Sequence, residues 1–200
     1  MANFIHLPYF GEKSLAANGK DTIYHSVPAF QFINQDGETV SDNTLNGKIY
    51  VANYFSSTDN SVVSGKIIAE LLRVQEKDSS WAKDLRILSF TMKPETDSLP
   101  ALRAYSKKIH ADNTIWNFLT GDKKLLLDLA KNGFLLNTVK GKNPTDSIHS
   151  EQLILVDKEK HIRGIYDGGN IKEVNNLLDD IKMLIATYYI NNNKKKKENE

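Results

Sequence analysis

Cysteine is absent from all 200 residues. That single absence excludes disulfides, thiolate nucleophiles, zinc–sulfur sites and iron–sulfur clusters. It leaves the redox compartment open, because a thiol-free chain folds in either environment. Long apolar runs are missing too. No stretch approaches the ~18 uninterrupted apolar residues of a membrane-spanning helix. Met1–Phe10 lacks the basic start, long apolar run and small-residue cleavage site of a signal peptide. Charge of one sign is also lacking: the formal net charge is +1. The tail Asn191–Glu200 carries four Lys and two Glu, and without it 22 basic residues face 23 acidic ones. A near-neutral body gives no electrostatic reason to expect a nucleic-acid partner.

What is present is ordinary. Apolar residues make up 40% and charged residues 26%, as in a soluble globular protein, and the length suits one domain with a real core. Residues 1–24 show little periodicity and read as an arm. Val27–Asn34 alternates, and Asp36-Gly37 then signals a two-residue hairpin returning through Glu38–Val40. Lys48–Phe55 is a nearly continuous apolar run, the pattern of a central strand covered on both faces. Val63, Ile67, Leu71 and Val74 then repeat at helical spacing over Ser61–Lys77. Leu85–Thr91 reads as the next strand. Asp97 or Ser98 can cap a helix carrying Leu99, Leu102, Tyr105 and Ile109, with Pro100 in its first turn. Trp116–Leu119 is a short strand, and Leu125–Lys131 a short helix that Gly133 is placed to end. Gln152–Asp157 and His161–Tyr166 form a second hairpin through Lys158–Lys160. Asn170 with Glu173 resembles a capping box, opening a last helix with Ile171, Val174, Leu178, Ile181 and Ile185 on its buried stripe.

Strands alternating with helices early imply parallel crossovers, and a late hairpin plus helix implies an antiparallel half. The fold class expected is therefore α/β, a thioredoxin-like, peroxiredoxin-related mixed sheet flanked by helices, with an N-terminal β-hairpin. Residues 25–190 form that domain after the arm 1–24, and 191–200 form a disordered, Lys-rich tail.

Several blocks resemble the Sco/SenC family. They are Leu7-Pro8-Tyr9-Phe10-Gly11, Tyr24-His25-Ser26-Val27-Pro28-Ala29-Phe30, Gly47-Lys48-Ile49-Tyr50-Val51-Ala52-Asn53-Tyr54-Phe55, and Ile87-Leu88-Ser89-Phe90-Thr91 with Pro94 and Asp97 following. Trp116-Asn117-Phe118-Leu119-Thr120-Gly121, His149-Ser150-Glu151 and the late Tyr166-Asp167-Gly168 continue the match over residues 7–188. The resemblance implies a thioredoxin-like copper chaperone for cytochrome c oxidase assembly, binding copper through a Cys-Pro-x-x-Cys-Pro loop and a distant His. Two thiolates suit Cu(I), and an imidazole helps accept Cu(II).

Aligned on Tyr54-Phe55, the two cysteine positions fall at Asp59 and Val63, and their following prolines at Asn60 and Ser64. Lys93 replaces an acidic residue before Pro94, while Asp97 and His149 remain. Val63 cannot bind a metal. One imidazole, at His149, makes no selective copper site alone, so no cofactor is expected although copper is the family's metal. Asp59 either caps the helix beginning near Ser61 or joins His149, with Asp146 or Asp97, in an oxygen/nitrogen site for a harder cation. His6, His25, His110 and His161 show no metal-ligand spacing, and Trp81 and Trp116 read as core aromatics. Gly168-Gly169 lacks the Lys and longer Gly pattern of a phosphate loop and reads as a turn. Thioredoxin- and peroxiredoxin-type enzymes share this fold but need a nucleophilic thiolate, so thiol-dependent redox activity is excluded.

The function expected is a non-redox accessory or binding module of the copper-delivery type. The alternative is a metal-binding protein using Asp59 and His149, and a remote third is a thiol-independent relative of peroxiredoxins. Partners expected are an oxidase subunit or copper-pathway protein, with no nucleic acid. By the same resemblance the protein is expected outside the cytoplasm, in the periplasm, anchored through a segment preceding this chain.

Overall fold

A computed structural model of the chain describes residues 7–76, 83–136 and 151–198. Its frame is a five-stranded sheet in the order β7-β6-β5-β8-β9. The strands are β5 (Ile49–Phe55), β6 (Leu85–Thr91), β7 (Trp116–Leu119), β8 (Gln152–Val156) and β9 (Ile162–Asp167). β5 pairs parallel with β6, and β6 with β7, while β8 and β9 run antiparallel. Every residue of β5 is buried, because both faces of the sheet are covered. Ile49, Val51 and Phe55 face α1 (Val62–Glu76), α2 (Leu99–Lys108) and α4 (Ile171–Glu198). Tyr50, Ala52 and Tyr54 face the hairpin β3–β4 (Gln31–Ile33, Thr39–Ser41) and α3 (Lys123–Asp128). This is the thioredoxin-like mixed sheet, with helices on both faces and a hairpin before it.

The two hairpins share one turn design. Asn34 Oδ1 accepts from the amides of Asp36 and Glu38, and Gly37 takes a left-handed φ of 85°. Asn34 N donates to Glu38 O at 2.9 Å, so the loop has three residues rather than the two that Asp36-Gly37 suggested. Asp157 Oδ1 does the same for Glu159 and His161, with Lys160 at a φ of 68°.

The first hairpin also closes the sheet's border at β7. Ile33 exchanges two backbone bonds with Thr120. Gln35, fully buried, donates from Nε2 to Trp116 O and accepts from Phe118 N at 2.8 Å. Its side-chain amide thus takes the place of a neighbouring strand along an otherwise bare edge.

Other boundaries differ from the sequence reading for local reasons. The arm contains a hairpin, β1 (Lys13–Leu15) with β2 (Thr22–Tyr24), too short and exposed to leave a periodic signal. α3 begins earlier because Asp122 caps it, accepting from Leu125 N at 3.0 Å, and it passes into a π-helical turn over Leu129–Gly133. Glu173 does not close a box on Asn170: its carboxylate accepts from Asp167 N at 2.6 Å. α4 continues to Glu198 through the segment read as a frayed tail, and Lys residues suit a helix C-terminus. His25 and His161 do more than decorate turns. His25 Nε2 meets Gly133 O at 2.8 Å, and His161 Nδ1 meets His25 O at 2.9 Å, fastening the arm to the domain.

Candidate functional site

The site lies where β5 ends and α1 begins. Met92 N donates to Phe55 O at 2.8 Å, holding the ends of β5 and β6 together. The chain then turns through hydroxyl residues. Ser56 Oγ and Thr58 Oγ1 are 3.0 Å apart, and Asp59 N donates to Ser56 O at 3.1 Å. The N-cap of α1 is Ser61, whose Oγ accepts from Ser64 N at 3.1 Å. Asp59 therefore does not cap the helix. It stands two residues earlier, its carboxylate accepting from Ser61 N at 2.9 Å in an Asx turn.

Asp97 holds this loop from below. It is fully buried. Ser57 Oγ donates to its Oδ1 at 2.5 Å, Ser57 N reaches its Oδ2 at 3.4 Å, and Thr91 Oγ1 also donates to Oδ2. One carboxylate thus ties the β5–α1 loop to the end of β6, and among the described residues no cation pairs with it. Tyr105, stacked on Phe55 at 5.5 Å, senses the same charges. Burial first, then the carboxylates of Asp59 and Asp97, pushes its phenol up to about 12.

Above the loop opens a cleft of about 470 Å³, lined by Asn53, Asp59, Val63, Ile67, Lys93 and Glu151 among others. Its floor is strand β5, one wall is the first two turns of α1, and Lys93 and Glu151 stand at the rim.

The model of the SCO1/SenC family matches residues 19–186. The chain belongs to the SCO1/SenC family. Its relatives include a SCO1 protein homolog from Bacillus subtilis (strain 168), 27% identical over 164 residues, covering 82% of this chain and 84% of that one. A SCO1/SenC family lipoprotein from Bacillus anthracis str. Ames superposes with a TM-score of 0.71 at 26% identity, over 80% of this chain and 95% of the other. The structure of BsSco, a member of the Sco family of cytochrome c oxidase assembly proteins with a disulfide switch, gives a TM-score of 0.66 at 24% identity, over 82% and 95%. No described helix of this chain is long and apolar enough to cross a membrane.

Asp59 and Val63 line one cleft. His149 and Asp146 lie outside the described residues, as do His6 and Trp81; Glu151, two positions after His149, lines the cleft. Asp97 belongs to the site as a buried anchor, not as a group facing the cleft. No cluster of three or more His, Asp or Glu side chains placed to hold a metal occurs among the described residues. Asp59 and Glu151 bring carboxylate oxygens to the cleft and Val63 brings no donor atom, a set that does not fit Cu(I).

Sequence reasoning missed Asn53, Ser57 and Thr91. The density of hydroxyls in Ser56–Ser64 was the available signal. A polar Asn within the apolar run Ile49–Phe55 was another.

Proposed function

We propose that this SCO1/SenC protein acts as a non-redox accessory in copper delivery and cytochrome oxidase assembly, on the extracytoplasmic side, docking to an oxidase subunit or copper-pathway protein without carrying copper on sulfur. The observation that supports this most is the Ser57–Asp97–Thr91 cluster. Hydroxyl and carboxylate oxygens organise the loop to which the resemblance assigns the copper cysteines. The family fold is kept while the sequence holds no sulfur ligand of cysteine type, which supports a role that runs through the protein surface rather than through thiol chemistry.

A competition assay with the Cu(I) chelator bicinchoninate tests the loss. The protein is expected to take no copper from the chelator, and one equivalent of tightly held Cu(I) would overturn the reading. Deleting the gene is expected to lower oxidase activity in the host; unchanged oxidase activity and copper content would remove the assembly role.

A second reading, a harder metal centre at Asp59 and His149, draws support from Glu151 lining the same cleft as Asp59. Titration with Cu(II) and Zn(II) separates it from the first: micromolar binding lost in His149→Ala would favour the metal centre.

A further inference from the structure

One backbone edge of the first hairpin is open among the described residues. In an antiparallel pair, bonded and non-bonded residue pairs alternate along the strands. Asn34 N donates to Glu38 O at 2.9 Å, and Asp42 N to Phe30 O at 3.2 Å. Gln31 and Ile33, at the alternate positions of β3, therefore turn their amides and carbonyls away from β4. Ile33 gives both groups to Thr120, at 3.1 and 2.9 Å. The pairing stops there because Asp122 caps α3 and the chain leaves as a helix. Gln31 is exposed and lies two residues along the same edge, and its backbone groups bond nothing among the described residues. Gln35 shields the border along β7; this edge belongs to the hairpin itself.

The open edge borders a groove of about 530 Å³. Ala29 and Gln31 line it from the hairpin, and Leu125, Leu129 and Asn132 line it from α3 and the π-helical turn that follows. Leu125 is 55% exposed. The lining carries two carboxylates, Asp42 and Asp128, and no Lys, Arg or His. Asp42 is paired with Lys160, whereas the pair of Asp128 with Lys124 is exposed on both sides and therefore weak. An occupant must offer backbone amides and carbonyls to Gln31, hydrocarbon to Leu125 and Leu129, and positive charge to Asp128. An extended polypeptide segment meets all three demands. We infer that β3 accepts an extended segment of a partner protein as an added strand, paired through Gln31 and presenting alternating apolar and Lys or Arg side chains to the groove. This gives the docking in the functional reading a location, and rests on that reading for the existence of a partner.

The full chain, titrated with the peptide acetyl-Lys-Val-Lys-Val-Lys-Val-amide and followed by ¹H–¹⁵N NMR, tests it. Saturable shifts are expected at residues 29–32 and 125–132, with a Kd on the order of 0.1–1 mM. Hydrogen exchange of the Gln31 amide should slow at least about tenfold at saturation, because an added strand bonds it. The same peptide with Glu in place of Lys, and the original N-methylated at every residue, should each bind at least about tenfold more weakly. Gln31→Pro removes a donor that has no partner in the hairpin, at a strand edge where Pro is tolerated. Asp128→Lys reverses an exposed charge. Each variant should weaken the peptide at least about threefold while the rest of the spectrum stays in place. Shifts that never saturate, full affinity in both variants, equal binding of the N-methylated peptide or unchanged exchange at Gln31 would overturn the proposal. A dimer of the protein alone that Gln31→Pro dissolves would assign the edge to a second copy and overturn it equally. Unchanged oxidase activity after gene deletion, with the peptide bound as described, would sink only the assembly role, so the two failures are distinguishable.

Discussion

Asp97 and Asp157 are both carboxylates sealed from solvent, at 0% and 1% exposure, yet they are held in opposite ways. Asp157 faces a cation: Arg163 Nη1 donates to its Oδ2 at 2.8 Å while two backbone amides occupy Oδ1. The same guanidinium also reaches the carbonyls of Leu7 and Pro8 and lies 4.1 Å over the Tyr9 ring. That carboxylate locks the second hairpin to the start of the chain. Asp97 has only hydroxyls and one long amide contact. Hydroxyls rotate and exchange partners at low cost, whereas a buried cation left alone is expensive. The rigid device thus sits where the chain is fastened, and the adaptable one beneath the loop between β5 and α1.

Substitutions should separate the two. Asp157→Ala strands the Arg163 charge in the interior and is expected to cost about 3–5 kcal/mol, read by chemical denaturation. A cost near that of a surface change would dissolve the contrast. Asp97→Asn keeps the shape and removes the charge, weakening two hydroxyl contacts, for an expected loss of about 1.5–3 kcal/mol. Unlike Asp157→Ala, it should raise hydrogen exchange mainly across Ser56–Ser64. Ser57→Ala leaves the Thr91 contact in place and should cost about 1 kcal/mol, confined to the same loop. If it destabilised the protein as much as Asp97→Asn, the carboxylate would be held by Ser57 alone.

The frame was legible because burial writes periodic patterns. The unbroken apolar run of β5, the helical stripe of α1 and the block Trp116–Leu119 each announced their element. The cleft was legible only through resemblance, which marked Asp59 and Val63 as the places where sulfur had been replaced. The contacts that shape it were not visible. Ser57, Thr91 and Asp97 meet through side chains 34 and 6 residues apart in sequence, and hydroxyls in loops follow no repeat. Ser61, not Asp59, became the helix cap because only its hydroxyl reaches the third amide of the helix. Asn53 looked like one polar interruption in a strand; it bonds Ser89, which accepts from Trp116, both brought alongside by parallel pairing.

The amide of Gln35 has a consequence for encounters between molecules. By imitating a strand along β7, it withholds from passing chains the backbone groups that would otherwise invite them to join the sheet there. Growth by strand addition is opposed at that border from within the molecule's own first hairpin.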